Sequence, residues 1–120
     1  KFPNKIRKMP DFIIIRNDNF IFVEVKGCHD ILRLKQDDLS CYKWWWDTFR
    51  KDSKNVRFVF FIYCTFDKLC YELTFQMLIE MFHDNTYETD TYPGNNKTYF
   101  KIPHTDISDR CKALEGIIKD

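Results

Sequence analysis

Two short apolar runs, DFIIIR (11–16) and FIFVEVK (20–26), begin the hydrophobic pattern of the chain. Both are dominated by β-branched and aromatic residues, the composition of buried sheet. Asn17-Asp18-Asn19 between them tolerates positive φ, so the two runs read as a hairpin. Gly27 ends the second strand, and Asp30 in the loop after it can cap the next element. From about Leu34 to Lys51 the period lengthens. Leu39, Tyr42, Trp46 and Phe49 recur at steps of three and four, with Gln36, Ser40, Lys43 and Asp47 on a polar flank, which predicts a helix. DSKN (52–55) breaks it. Val56 to Thr65, which contains FVFFIYC, reads as a central strand buried on both faces, and Tyr71 to His83 as a second helix. DNTYETDTYPGNNK (84–97) is a polar loop turning at Pro93-Gly94, TYFKIP (98–103) a short strand, and about Ser108 to Ile118 a closing helix. The order β-β-α-β-α-β-α predicts an α/β (α+β) domain with a mixed central sheet flanked by helices.

Composition narrows the picture. At 120 residues and 44% hydrophobic, the chain is expected to form a single domain, 1–120, with a core of its own. It opens KFPNKIRKMP, without an initiator Met or a signal-peptide pattern, and reads as a fragment lacking upstream elements. No apolar run is long enough to span a membrane, so no membrane partner is expected. The five cysteines are odd in number and nowhere spaced C-x-x-C, which argues for free thiols in a reducing, intracellular compartment (cytoplasm or nucleus) over a disulfide frame or structural zinc. The net charge is +1, but it is unevenly placed. Residues 1–57 carry 13 Lys/Arg against 8 Asp/Glu, and residues 58–120 carry 6 against 10. A basic first half suits an anionic partner such as nucleic acid, although uneven surface charge alone would look the same.

The chemistry concentrates in MPDFIIIRNDNFIFVEVKG (9–27), where Asp11, Glu24 and Lys26 interrupt strand-like sequence. Charged residues are depleted in strands and rarely buried without partners. Either they sit at solvated strand ends, or they converge. A two-residue loop at Asn17-Asp18 would set Asp11 directly opposite Glu24, on the face that Glu24 shares with Lys26. A three-residue loop would send Asp11 to the other face. Two opposed carboxylates need a compensating cation. Lys26 can serve one, whereas Mg²⁺ or Mn²⁺, which take hard oxygen ligands and accept substrate phosphates, can serve both. Such an ion polarises a scissile phosphate and acidifies bound water, with Lys26 beside it. The rival reading is a hairpin salt bridge.

Pro-Asp, a hairpin, then an acidic residue, an apolar residue and Lys resembles the signature of the PD-(D/E)XK nuclease superfamily. The continuation resembles its VRR-NUC branch, with a Holliday-junction-resolvase-like core: Glu24, Lys26, Gly27, Asp30, Leu32, Lys35 and Gln36 fall on that pattern, and the likeness runs over about residues 9–64. The resemblance implies a restriction-endonuclease-like sheet and a metal-dependent endonuclease, a phosphodiesterase acting in nucleic-acid processing such as DNA repair. By it Asp11 and Glu24 are metal ligands, the Val25 carbonyl is a further ligand, Lys26 is the catalytic lysine, and Gln36 opens a helix beside the site. It favours DNA, structured or branched, over RNA. Cys28-His29 departs from the Pro-Gly or Pro-Asn usual in that turn. Two rival readings are an RNA endonuclease on the same core, of the viral cap-snatching type, and a nucleic-acid-binding or assembly domain without turnover.

Further candidates surround this motif. Lys1, Lys5, Arg7 and Lys8 can meet a phosphate backbone, as can Arg33, Lys35 and Lys43. His29 lies close enough to Gly27 to reach metal or phosphate, though a solvated loop position explains it as well. His83 and His104 stand alone. Trp44-Trp45-Trp46 can stack on bases, but core packing or a homodimer contact fits the run better, since Trp46 falls on the apolar face of its helix.

Overall fold

The computed structural model describes residues 10–50 and 56–114, so Lys1, Lys5, Arg7, Lys8 and the DSKN break lie outside the described residues. Strands β1 (Phe12–Arg16) and β2 (Asn19–Cys28) form the expected hairpin, in register from Phe12 opposite Val23 to Arg16 opposite Asn19. Asn17 (φ 51°) and Asp18 (φ 67°) are both left-handed. That is the pattern of a two-residue type I′ loop, whose twist suits a hairpin and which Asn and Asp tolerate. Strand β4 (Val56–Cys64) pairs parallel with β2, from Phe20 opposite Val56 to Cys28 opposite Cys64. A parallel pair needs a crossover, and β3 (Ile31–Lys35) with α1 (Gln36–Arg50) supplies it. Strand β5 (Leu69–Thr74) runs antiparallel to β4, followed by α2 (Phe75–Asp84), β6 (Thr89–Thr91), β7 (Thr98–Pro103), α3 (His104–Arg110) and β8 (Lys112–Ala113). The larger sheet is ordered β1-β2-β4-β5-β8, and a second sheet is ordered β3-β7-β6. The fold is mixed α+β, with a mixed sheet flanked by helices. No helix among the described residues is long and apolar enough to cross a membrane.

Several elements depart from the expected order. The segment expected to be loop and first helical turn is strand β3, because Leu32 and Leu34 alternate inward against β7. The apolar pattern predicts the second helix from Tyr71, yet Leu69–Thr74 is strand, with Tyr71 and Leu73 buried at a period of two. The helix starts at Phe75, where the Thr74 hydroxyl accepts the Met77 N–H at 3.1 Å. The closing helix is shifted toward the N-terminus, to His104–Arg110, and the polar loop contains β6. Strand β4 is central as expected but not buried on both faces, since Arg57 and Tyr63 are exposed. The largest departure is β1. It reads as buried sheet, but it is an edge strand whose every residue is exposed, Phe12 at 59% and Ile15 at 68%.

The two faces of the larger sheet differ. Phe22, Phe58, Phe60, Ile62, Cys64, Tyr71 and Leu73 share one face and join one core cluster. Every helix contributes to that cluster: Tyr42, Trp45 and Trp46 from α1, Phe75, Leu78 and Met81 from α2, and Ile107 from α3. The second sheet adds Leu32, Leu34 and Ile102. Trp45 and Trp46 are therefore core residues, and Trp44 is half-buried. Glu24 and Lys26 alternate with the same register as Phe22, so they sit on the core-facing side, where α1 covers the sheet.

Candidate active site

The site is built where β1 begins and β2 passes under α1. Extending the hairpin register by one residue sets Asp11 opposite Glu24, and the hydrogen bonds agree. The Asp11 N–H donates to Glu24 Oε1 at 3.0 Å, and the Val25 N–H donates to Asp11 Oδ2 at 2.9 Å. Glu24 is 8% exposed, the one buried charged residue among those described. Its other oxygen, Oε2, accepts the Tyr42 hydroxyl at 2.6 Å and lies 3.3 Å from Lys26 Nζ. Burial of a carboxylate is costly unless such partners are present, and here each oxygen has one.

Helix α1 closes the site from above. Its Asp38 carboxylate is 4.0 Å from Lys26 Nζ, and the Lys26 ammonium lies 5.7 Å from the Tyr42 ring centroid. Asp38 and Tyr42 are four residues apart, on one helical face. Burial, reinforced by the hydrogen bond to Glu24, pushes the Tyr42 hydroxyl far above its ordinary range, so it remains a donor. Lys26 is thereby held by Glu24 on one side and Asp38 on the other. The arrangement positions the Lys26 ammonium between the Glu24 carboxylate of β2 and the Asp38 carboxylate of α1.

Asp11, Glu24, Val25 and Lys26 are brought together as the hairpin register predicts. Gln36 does open α1, but its side chain is exposed, and Asp38 is the residue of that first turn that reaches Lys26. The motif pattern does not single out Asp38, and it places Tyr42 only on the apolar helix face. Their four-residue spacing beyond Gln36 is the available signal. His29 is engaged elsewhere: its Nδ1 is 2.8 Å from the Thr65 hydroxyl and its ring packs edge-on to Phe66. Lys43 pairs with Asp47 at 2.6 Å along α1. Arg33 and Lys35 lie on the outer face of the second sheet, over Tyr99 and Tyr92.

The donor set bears on the metal expectation. Asp11, Glu24 and the Val25 carbonyl offer hard oxygens, and each carboxylate keeps lone pairs beyond those its N–H, O–H and ammonium partners use. Among the described residues no three His, Cys, Asp or Glu side chains converge as a metal cage. The residues fit an ion that takes one or two carboxylates and fills its remaining positions with water and phosphate, as Mg²⁺ does, and do not fit a closed structural site. Compared with known proteins, the chain matches no protein-family model. No curated protein sequence matches it either.

Proposed function

We propose that the chain is a Mg²⁺- or Mn²⁺-dependent nuclease that hydrolyses phosphodiester bonds in nucleic acid. The observation that carries this reading is the convergence of Asp11, Glu24 and Lys26 at one end of the hairpin, with Glu24 buried and each of its oxygens partnered. A charged group buried under a helix at a strand end costs stability, and a nuclease has a use for it. The likeness of PD…EVK to the PD-(D/E)XK motif supports the same reading and favours DNA over RNA.

Asp11 and Glu24 would hold the ion, with the Val25 carbonyl. A bound divalent ion would supply charge for the scissile phosphate and for an attacking water. The residues of the chain do the rest. Tyr42 and the Asp11 N–H fix the Glu24 carboxylate, so it is already oriented when substrate arrives. The Lys26 ammonium, set between Glu24 and Asp38, offsets negative charge developing on the phosphoryl oxygens. Asp38 is a positioning residue, acting through Lys26.

A second reading has its own observation. Lys26 and Tyr42 already compensate Glu24, which also suits a nucleic-acid-binding or assembly domain without turnover. Labelled single-stranded, duplex and branched DNA, and RNA, incubated with Mn²⁺ or with chelator, separate the readings. The nuclease reading expects Mn²⁺-dependent cleavage of at least one DNA that is lost in Glu24→Gln. Binding without cleavage of any substrate sinks it in favour of the second reading, and preferential cutting of RNA moves the substrate to RNA.

A further inference from the structure

We propose that the outer face of the second sheet, which carries Arg33, Lys35 and Lys101 together with Tyr92 and Tyr99, binds the phosphodiester backbone of a nucleic-acid strand and leads it to the Asp11–Glu24–Lys26 site. The inference rests on the nuclease reading of that site, whose substrate path it identifies.

Alternation fixes the two faces of this sheet. Leu32, Leu34 and Ile102 point into the core, so Arg33, Lys35 and Lys101 point out. Arg33 stands directly opposite Lys101 in the β3–β7 register, and Lys35 opposite Tyr99. Like charges directly opposed across a ladder are destabilising. Several described cations have found carboxylates: Lys26 with Glu24, Lys43 with Asp47, Arg57 with Glu72, Lys97 with Asp37 and Arg110 with Asp84, whereas Arg16 and Lys68 stand singly without one among the described residues. Among the described residues, Arg33, Lys35 and Lys101 form no ion pair. An opposed pair of this kind is tolerated most readily where an anion from outside lies between its members.

The aromatic floor beneath them points the same way. The Arg33 guanidinium lies 5.7 Å from the Tyr99 centroid and Lys35 Nζ 5.5 Å from the Tyr92 centroid, and the two rings are 4.4 Å apart. The rings hold the two cations on the outer face, and Tyr92 offers a half-buried edge for base contact. Arg33 and Lys35 are two residues apart on one strand, about 7 Å by the usual strand rise, the order of the distance between successive phosphates. Asp90, opposite Tyr99 on β6, and Glu88, whose carbonyl accepts the Lys101 N–H, bound the stripe on its far side, which favours a polyanion lying toward β3.

The stripe also runs toward the chemistry. Lys35 ends β3, Gln36 opens α1, and Asp38 in that first turn is 4.0 Å from Lys26. A strand lying along β3 is delivered to the mouth of the site over three residues.

The test is fluorescence anisotropy of a labelled single-stranded DNA in chelator, where no cleavage intervenes. Neutralising three phosphate contacts in Arg33→Gln/Lys35→Gln/Lys101→Gln should weaken binding about 50-fold at ~0.15 M salt and reduce the log K against log salt slope by ~2. The charge-keeping variant Arg33→Lys/Lys35→Arg/Lys101→Arg should bind within a few-fold of wild type, and Arg57→Gln, which removes a cation paired with Glu72, should leave the affinity unchanged. If the triple variant fails to fold, Arg33→Gln and Lys101→Gln alone should each weaken binding several-fold. Wild-type affinity and slope in the neutralised variants overturn the proposal, as does wild-type protein that leaves the anisotropy unchanged. Its failure is distinct from failure of the nuclease reading: cleavage with no loss of binding in the triple variant refutes the path alone, whereas binding that depends on the stripe without cleavage in Mn²⁺ refutes the chemistry alone.

Discussion

The two sheets treat charge in opposite ways. On the larger sheet Glu24 is buried and answered at every oxygen by an N–H, a hydroxyl and an ammonium, and Lys26 in turn is answered by Asp38. On the smaller sheet Arg33 and Lys101 face each other outward, Arg33 over the Tyr99 ring, with no carboxylate paired to either among the described residues. Compensation inside the first sheet fixes geometry, because each group has one orientation that satisfies its partners. Outward-facing charge without an ion-pair partner on the second is left available to an external anion. A site that positions atoms and a surface that attracts a polyanion call for these two different solutions.

Removing one member from each sheet separates the two treatments. Glu24→Ala orphans the Tyr42 hydroxyl and the Asp11 N–H and leaves Lys26 only the more distant Asp38, and should cost about 3 kcal/mol of unfolding free energy, measured in urea. The neutralised Arg33/Lys35/Lys101 variant should lie within about 0.5 kcal/mol of wild type in the same titration, because no ion pair among the described residues is broken and an opposed like-charge pair is relieved. Equal losses in the two would erase the distinction. Tyr42→Phe should be intermediate, costing about 2 kcal/mol, since one hydrogen bond to a charged acceptor is lost while the packing on Phe58 and Phe60 stays.

The smallest expected effect concerns acid. Asp67, in the β4–β5 turn, is another internally answered charge. Partial burial raises its carboxyl, but the Tyr71 hydroxyl, the Leu69 N–H and the His104 ring outweigh burial and hold it below the ordinary carboxylate range. A carboxyl depressed in the folded state adds stability above its unfolded value, near pH 4, and that contribution disappears as pH falls through the folded value. Asp67→Asn should therefore be slightly less stable than wild type above about pH 4, with the difference shrinking as pH falls below that value. A difference that persists unchanged at lower pH would mean that the substitution disturbs packing rather than charge.

How much of this is legible in the sequence depends on how local the determining interaction is. The hairpin and its register follow from Asn17-Asp18 and the flanking β-branched runs, and the register alone sets Asp11 against Glu24. Strand β3 escapes a sequence reading because its partner, β7, is some seventy residues away, and a five-residue alternation next to a helix looks like part of the helix. Strand β5 escapes for the same kind of reason: Tyr71 and Leu73 fit either period until β4 supplies a ladder. The exposed faces of β1 are not legible, because Phe12 to Ile15 has the composition of core and only the sheet order makes it an edge. At the site, spacing favours Gln36, while Asp38 and Tyr42 become visible only when α1 is laid over β2.

The division of labour between the sheets is tested most directly by measuring, for Lys26→Ala and for the neutralised Arg33/Lys35/Lys101 variant, both cleavage of a labelled single-stranded DNA in Mn²⁺ and its binding in Ca²⁺. The account predicts that Lys26→Ala binds like wild type and cuts at least ~10²–10³-fold more slowly, the size expected when one positioned charge is lost. The neutralised variant should bind weakly, yet approach the wild-type rate once the DNA is raised to saturation. Cleavage by Lys26→Ala at the wild-type rate would contradict the account, leaving that lysine only a salt-bridge partner of Glu24.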